Sequence, residues 1–121
     1  MKIIIKGRIP SKKNSKIISC RGSRPLLFPS SNYKKWHDDA SEQLKFYNKE
    51  ENIEIEGIKL SFFMPDNRCS DLTNKAESVM DLLVDNGFLE DDSWQITGKI
   101  ELIPCGVDKE NPRVEIIINR V

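Results

Sequence analysis

The order of apolar and polar residues divides this chain into helices and strands. Apolar residues spaced three or four apart predict one helix from Ser30 to about Asn48 and a second over about Leu72–Asp85. Alternation of apolar and polar residues over 94–102 and 114–118 predicts two closing strands, joined through 104–113. Proline and glycine bound four earlier strands, predicted at Lys2–Ile9, Lys16–Cys20, Pro25–Phe28 and Ile53–Met64.

The predicted order of elements is therefore β-β-β-α-β-α-β-β. A chain of 121 residues, 38% of them hydrophobic, buries one modest core and leaves little room for a second. No repeat, linker or low-complexity stretch interrupts it. We expect a single small α+β domain over residues 1–121, with a mixed β-sheet and two helices.

The second helix separates apolar from acidic residues. At about 100° per residue, one side carries Leu72, Ala76, Val79, Met80 and Leu83. The other side carries Asp71, Asn74, Glu77, Ser78, Asp81 and Asp85. An acidic helix face is usually solvated surface, and an aspartate at a helix start also serves as an N-cap. Both interpretations stay open here.

A second acidic group follows the same helix. The helix stops at Asn86-Gly87, and Glu90-Asp91-Asp92 come just after it. If the two ends of segment 70–94 meet, their carboxylates repel one another unless a cation is present. Hard oxygen ligands suit Mg²⁺ or Mn²⁺, so this segment is a candidate metal site.

The order of these motifs resembles the RusA family of Holliday-junction resolvases, endonucleases typical of bacterial phages and prophages. The resemblance rests on Met64-Pro65-Asp66, Asp71-Leu72-Thr73-Asn74, Asn86-Gly87-Phe88 and Asp91-Asp92, and extends weakly to loop 9–15. It implies a small homodimer that cuts four-way DNA junctions with Mg²⁺ held by three aspartates. Two of those aspartates match Asp71 and Asp92, with Asp91 as an acidic neighbour.

Two positions depart from the family pattern. Thr73 stands where the family has its second aspartate, and Glu77 stands where it has a lysine. Because these residues lie four apart on one helix face, Glu77 is able to supply the lost carboxylate while Thr73 offers a hydroxyl. A plain surface charge at Glu77 is the alternative. Lys75, on a different side of the helix, is a candidate catalytic lysine that pairs with Asp71 or with phosphate.

The net charge of zero conceals two oppositely charged halves. Residues 1–50 contain 12 Lys or Arg and 4 Asp or Glu, a formal charge of +8, and residues 51–121 contain 7 and 15, a formal charge of −8. A basic half suits a DNA phosphate backbone, although chance or the pairing of subunits produces the same dipole. The candidate DNA contacts are Lys12, Lys13, Asn14, Lys16, Arg21, Arg24 and Asn74.

Several other features narrow the function. Three cysteines without Cys-x-x-Cys spacing predict reduced thiols and no zinc site. Since no apolar run reaches the ~18 residues of a membrane span and no signal peptide is visible, we expect a soluble cytoplasmic protein. For His37, a packing or hydrogen-bonding role is favoured over catalysis. For Trp94, an inward place on a strand is favoured over stacking on an unpaired base.

Together these features predict a Mg²⁺-dependent, structure-selective endodeoxyribonuclease that resolves branched DNA in recombination and repair. Its metal-binding carboxylates would be Asp71, Asp92, Glu77 and Asp91. A non-catalytic branched-DNA-binding protein of the same fold is the main alternative. An acidic-faced interaction protein without a DNA role is the third.

Overall fold

The structure is a computed structural model and describes residues 1–11, 16–21, 24–29, 31–50 and 52–121. The candidate DNA contacts Lys12, Lys13 and Asn14 lie outside the described residues. In chain order the elements are β1 (Lys2–Lys6), β2 (Lys16–Arg21), β3 (Arg24–Pro29), α1 (Ser31–Leu44), β4 (Ile55–Met64), α2 (Leu72–Asp85), α3 (Trp94–Thr97), β5 (Lys99–Val107) and β6 (Arg113–Arg120).

Four strands form one mixed sheet, in the order β1-β6-β4-β5. β6 pairs antiparallel with both β1 and β4, whereas β4 and β5 are parallel. Parallel neighbours need a crossover connection, and α2 and α3 lie within the one that joins β4 to β5. This β-α-β unit contains both acidic segments of the sequence.

The hydrophobic core lies between one face of this sheet and the two long helices. The alternation predicted for the last strand is confirmed, because Val114, Ile116 and Ile118 are all buried. Leu60 of β4 pairs with Ile116 on one side and with Leu102 on the other, so the apolar side chains of neighbouring strands share that face. The helices contribute Trp36, Ala40, Leu44, Ala76, Val79, Met80, Leu82 and Leu83.

The α+β class with a mixed sheet and two main helices is confirmed, but the predicted order of elements is correct only in part. β2 and β3 pair with each other in a separate two-stranded sheet. The main sheet and its long helices therefore follow the order β-α-β-α-β-β. Element ends differ from the predicted ones by a few residues, as expected from pattern alone.

The predicted strand start at Trp94 is wrong. Residues 94–97 form the short helix α3, and the strand begins at Lys99. Gly98 explains the break, since its φ is +63° and an added Cβ would lie 2.3 Å from the carbonyl oxygen of Glu56. Only glycine lets the chain turn so closely against β4 before β5 begins. Trp94 is therefore not an inward strand residue but is 76% exposed.

The ends of α2 agree with the sequence signals. Its C-terminal neighbour Gly87 has φ of +78°, the left-handed conformation predicted for a helix stop. The Nε2 atom of His37 in α1 lies 2.9 Å from Oδ2 of Asp85, which agrees with the predicted hydrogen-bonding role of His37.

Within the part of the chain that the structure describes, no helix has the length and apolar composition needed to cross a membrane.

Candidate active site

Asp71 fixes the start of α2 as an N-cap. Its Oδ1 accepts a hydrogen bond from the Thr73 backbone N–H at 2.9 Å and from the Thr73 hydroxyl at 2.6 Å, while its Oδ2 accepts one from Asn74 Nδ2 at 3.1 Å. These bonds satisfy backbone donors that a helix start leaves without partners. The capping role considered from the sequence is therefore present, and it occupies Asn74, a predicted DNA contact.

A cavity of about 380 Å³ lies between α2 and β5, and we call it the carboxylate cavity. Its lining residues are Thr73, Ala76, Glu77, Met80, Asp81, Asp92, Ile100 and Leu102. The structure therefore brings together Thr73, Glu77 and Asp92, which the sequence analysis had singled out. Asp81, seen only as part of the polar helix face, joins them. Asp71 does not line this cavity.

Asp91 lies beside the cavity but is bound into its own turn. A hydrogen bond from the Asp92 backbone, followed by one from the Ser93 side chain, holds the pKa of the Asp91 carboxyl below its usual range. These contacts shape the turn that leads from α2 into α3. Asp92, and not Asp91, is among the residues that line the carboxylate cavity.

A model of the family described as endodeoxyribonuclease RusA matches residues 7–119 of this chain. The chain belongs to the RusA family. The match spans the whole β-α-β unit and both helices, and so agrees with the resemblance seen in the motifs. A comparison with curated proteins finds no match.

Mg²⁺ is the metal that RusA family membership implies, so the donors of the carboxylate cavity need to suit it. Among the described residues, no three carboxylate, histidine or cysteine side chains converge closely enough to hold a metal ion on their own. Mg²⁺, however, usually keeps several waters and takes one or two protein carboxylates together with substrate phosphate. Glu77 and Asp92, with the Thr73 hydroxyl, suit that kind of site.

Lys75 points away from the carboxylate cavity. Its Nζ donates a 2.6 Å hydrogen bond to the backbone oxygen of Ile9, and the residue is only 8% exposed. Ser78 was predicted on the exposed face, which is wrong, since it is buried and its hydroxyl donates to the Pro10 oxygen at 2.7 Å. The segment after β1 covers this side of α2 and so excludes water from both side chains.

These two bonds tie the segment after β1 to α2. Ile9 and Pro10 are tied to α2, and the chain then enters residues 12–15. Lys12 and Lys13, which follow in the sequence, lie outside the described residues. The other basic candidates lie in the hairpin, with Lys16 and Arg21 in β2 and Arg24 in β3.

A second polar cluster was missed by the sequence analysis. Asp66 accepts hydrogen bonds from the guanidinium groups of Arg8 at 2.7 Å and Arg68 at 2.9 Å. The Arg68 hydrogen bonds hold the pKa of the Asp66 carboxyl below its usual range. The Met64-Pro65-Asp66 motif is the sequence signal for this cluster, although the motif alone assigns Asp66 no role. Arg8 has no such signal, because it comes from the far end of the chain.

Proposed function

We propose that this chain is a Mg²⁺-dependent endodeoxyribonuclease that hydrolyses phosphodiester bonds in four-way junctions or other branched DNA. Mn²⁺ would serve in place of Mg²⁺. Membership of the RusA family supports this class of enzyme. The observation that carries the proposal is that Glu77 and Asp92 line one cavity with Thr73, although they are 15 positions apart in sequence.

The residues proposed to hold the metal are Asp92 and Glu77, with Asp71 and Asp91 as further carboxylates at the edge of the site. Bound there, Mg²⁺ would lower the pKa of a water and stabilise charge on the attacked phosphate. The carboxylates would hold the metal, and the Thr73 hydroxyl, whose proton is donated to Asp71 Oδ1, would present only its oxygen to the cavity. The apolar wall formed by Met80, Ile100 and Leu102 would limit water on one side.

A non-catalytic DNA-binding protein of the same fold is the second candidate. It is favoured by one observation, the threonine at the position of the family's second aspartate. With fewer carboxylates, the site would bind Mg²⁺ more weakly, while the basic half of the chain would still bind phosphates. The two candidates differ in cleavage and agree in binding.

A junction-cleavage assay distinguishes them. A synthetic four-way junction is incubated with the protein in Mg²⁺ or in EDTA, and a linear duplex of the same sequence serves as the substrate control. We expect nicking of the junction that needs Mg²⁺ and that Asp92→Asn abolishes without loss of junction binding. Asp39→Asn, an exposed aspartate of α1 outside the cavity, is the matched control. A wild-type protein that shifts the junction but never cuts it supports the binder instead.

We also propose that the protein acts as a homodimer. A four-way junction has two symmetric scissile strands, and a twofold dimer presents one copy of the site to each. Family resemblance supports the same assembly.

A further inference from the structure

A small basic pocket lies on the side of α2 opposite the carboxylate cavity. It encloses about 160 Å³ and is lined by Arg8, Met64, Pro65, Asp66, Arg68, Cys69, Ser70 and Lys75. Lys75 lies two residues from both Thr73 and Glu77, which is about 200° around the helix. The two cavities therefore share α2 but not its face.

The charges around this basic pocket do not cancel. Arg8 and Arg68 share the single carboxylate of Asp66. Lys75 adds a third positive charge, so the four ionisable side chains carry a formal charge of +2. An excess of cations around a small concave space attracts an anion, and guanidinium groups suit the planar, forked recognition of phosphate oxygens.

Lys75 is the least compensated of these cations. Within the described part of the chain, the ammonium has the Ile9 carbonyl as its hydrogen-bond partner and no carboxylate within ion-pair distance. A buried ammonium without a counter-ion is costly to desolvate, and a bound anion removes much of that cost.

We propose that the basic pocket binds one phosphate group of the DNA. Because the pocket and the carboxylate cavity lie on opposite sides of α2, this phosphate is not the one that reacts and is not its immediate neighbour along the strand. This inference rests on the proposed action on DNA. It gives Lys75 a phosphate-binding and positioning role in place of the predicted catalytic one.

Salt dependence of junction binding tests the pocket. Binding of a labelled four-way junction is measured in EDTA, which prevents cleavage, at several salt concentrations. We compare Arg68→Gln and Lys75→Met with Arg120→Gln, a matched arginine that pairs with Glu50 elsewhere. Loss of one phosphate contact should make log K less steep in log salt by about 0.9, which is roughly eightfold weaker binding at about 0.1 M salt.

The variants separate the possible outcomes. Arg68 is largely exposed, so Arg68→Gln should fold even if Lys75→Met loosens the segment after β1. An unchanged slope in a folded Arg68→Gln protein overturns the proposal. If the wild-type protein fails to bind the junction, the proposed function has failed instead. Nicked junctions that carry a 5′-phosphate or a 5′-hydroxyl show whether the pocket binds a terminal or an internal phosphate. If it binds a terminal phosphate, the substitutions weaken binding only of the junction with the 5′-phosphate. If it binds an internal phosphate, they weaken binding of both junctions.

A separate observation concerns Trp94. This indole is 76% exposed, which is unusual for a large aromatic side chain, and it lies two residues after Asp92. Its turn is held firmly, because Thr97 is buried and Gly98 packs directly against the Glu56 carbonyl. The backbone that carries the exposed ring is therefore held in place, two residues from Asp92, which lines the carboxylate cavity.

We infer that Trp94 stacks on an unpaired base at the branch point. A duplex offers few exposed base faces, whereas a branch point offers them, and aromatic side chains bind such faces without regard to sequence. This inference also rests on the proposed action on branched DNA. It makes Trp94 a residue that selects structure.

Fluorescence and affinity test this inference together. The other tryptophan, Trp36, is only 7% exposed, so Trp36→Phe leaves Trp94 as a single reporter. Its emission should be quenched by the junction in EDTA. Trp94→Ala should weaken junction binding roughly 5- to 150-fold, while Trp94→Phe retains most of it. Phe46→Ala, which removes another exposed aromatic away from the cavity, is the control. The inference is overturned if Trp94→Ala binds the junction with unchanged affinity, or if the substitution weakens binding only because it disrupts a dimer. Wild-type protein that binds no junction overturns the proposed function instead.

Discussion

Asp71 is expected to have two separable roles, and two substitutions separate them. As an N-cap it binds the Thr73 and Asn74 backbone amides, the Thr73 hydroxyl and the Asn74 side chain. As a proposed metal carboxylate it contributes negative charge. Asn at position 71 retains an oxygen that caps the helix but loses the charge, whereas Ala loses both.

The expected stability changes follow from the capping geometry. Replacing a capping aspartate with alanine lowers the free energy of unfolding by about 0.5–2 kcal/mol. Loss of a negative charge at a helix N-terminus lowers it by about 0.3–1 kcal/mol. We expect Asp71→Ala to lose about 1.5 kcal/mol and Asp71→Asn about 0.5 kcal/mol, because asparagine caps as well as aspartate but no longer accepts from Asn74 Nδ2. At roughly 2.1 cal/mol/K per residue over this chain, 1 kcal/mol corresponds to about 4 °C in Tm.

Thermal melts in EDTA and junction cleavage in Mg²⁺ measure the two roles independently. Asp71→Asn should lower Tm by about 2 °C and Asp71→Ala by about 6 °C, while both should lose cleavage. If Asp71→Asn cleaves at the wild-type rate, Asp71 is a cap and not part of the metal site. If Asp71→Ala melts with wild-type Tm, the hydrogen bonds at the helix start do not stabilise the fold as argued.

Three further predictions concern the rest of the site. Glu77→Gln should lower the cleavage rate roughly 100-fold or more if Glu77 positions the metal. Adding Thr73→Asp should restore part of that loss. Unchanged kinetics of Glu77→Gln would show that Glu77 is only a surface charge. The protein should sediment as a homodimer at micromolar concentration, and a monomer with and without junction would contradict this. Lys12→Ala with Lys13→Ala should make log K less steep in log salt by roughly 1.4–1.8, and an unchanged slope in the folded double variant would remove that loop from the DNA site.

The long helices and the carboxylate cavity were the most predictable parts of the molecule. Helix α2 has a capping aspartate, an apolar stripe and an Asn-Gly stop, so local chemistry fixes both of its ends at the predicted residues. The spacing of four between Thr73 and Glu77 then places both on one face, whatever the rest of the fold. Asp92 reaches the same cavity only because the crossover from β4 to β5 brings β5 beside α2. The predicted order of elements did not specify that β4 and β5 pair in parallel.

Other features depend on contacts that no local pattern contains. Ser78 lies on the polar side of α2 by periodicity and Lys75 is charged, yet both are buried because the segment after β1 passes over them. Trp94 and Ile96 alternate with polar residues as a strand would. They form a helical turn because Gly98, close to Glu56, sets where β5 starts. Tertiary contacts override periodicity in such short segments.

The departures at Thr73 and Glu77 bear on where a metal would lie in this chain. A carboxylate at position 77 is displaced from position 73 by four residues, about 6 Å along the helix axis. That displacement is away from Asp71 at the helix start and toward Asp81, which lines the same cavity as Asp92. Lys75 occupies the opposite side, in the basic pocket. In the proposed site, Glu77 therefore keeps a second carboxylate on the cavity face of α2 in place of the aspartate lost at position 73, and this is how family membership is compatible with the altered motif.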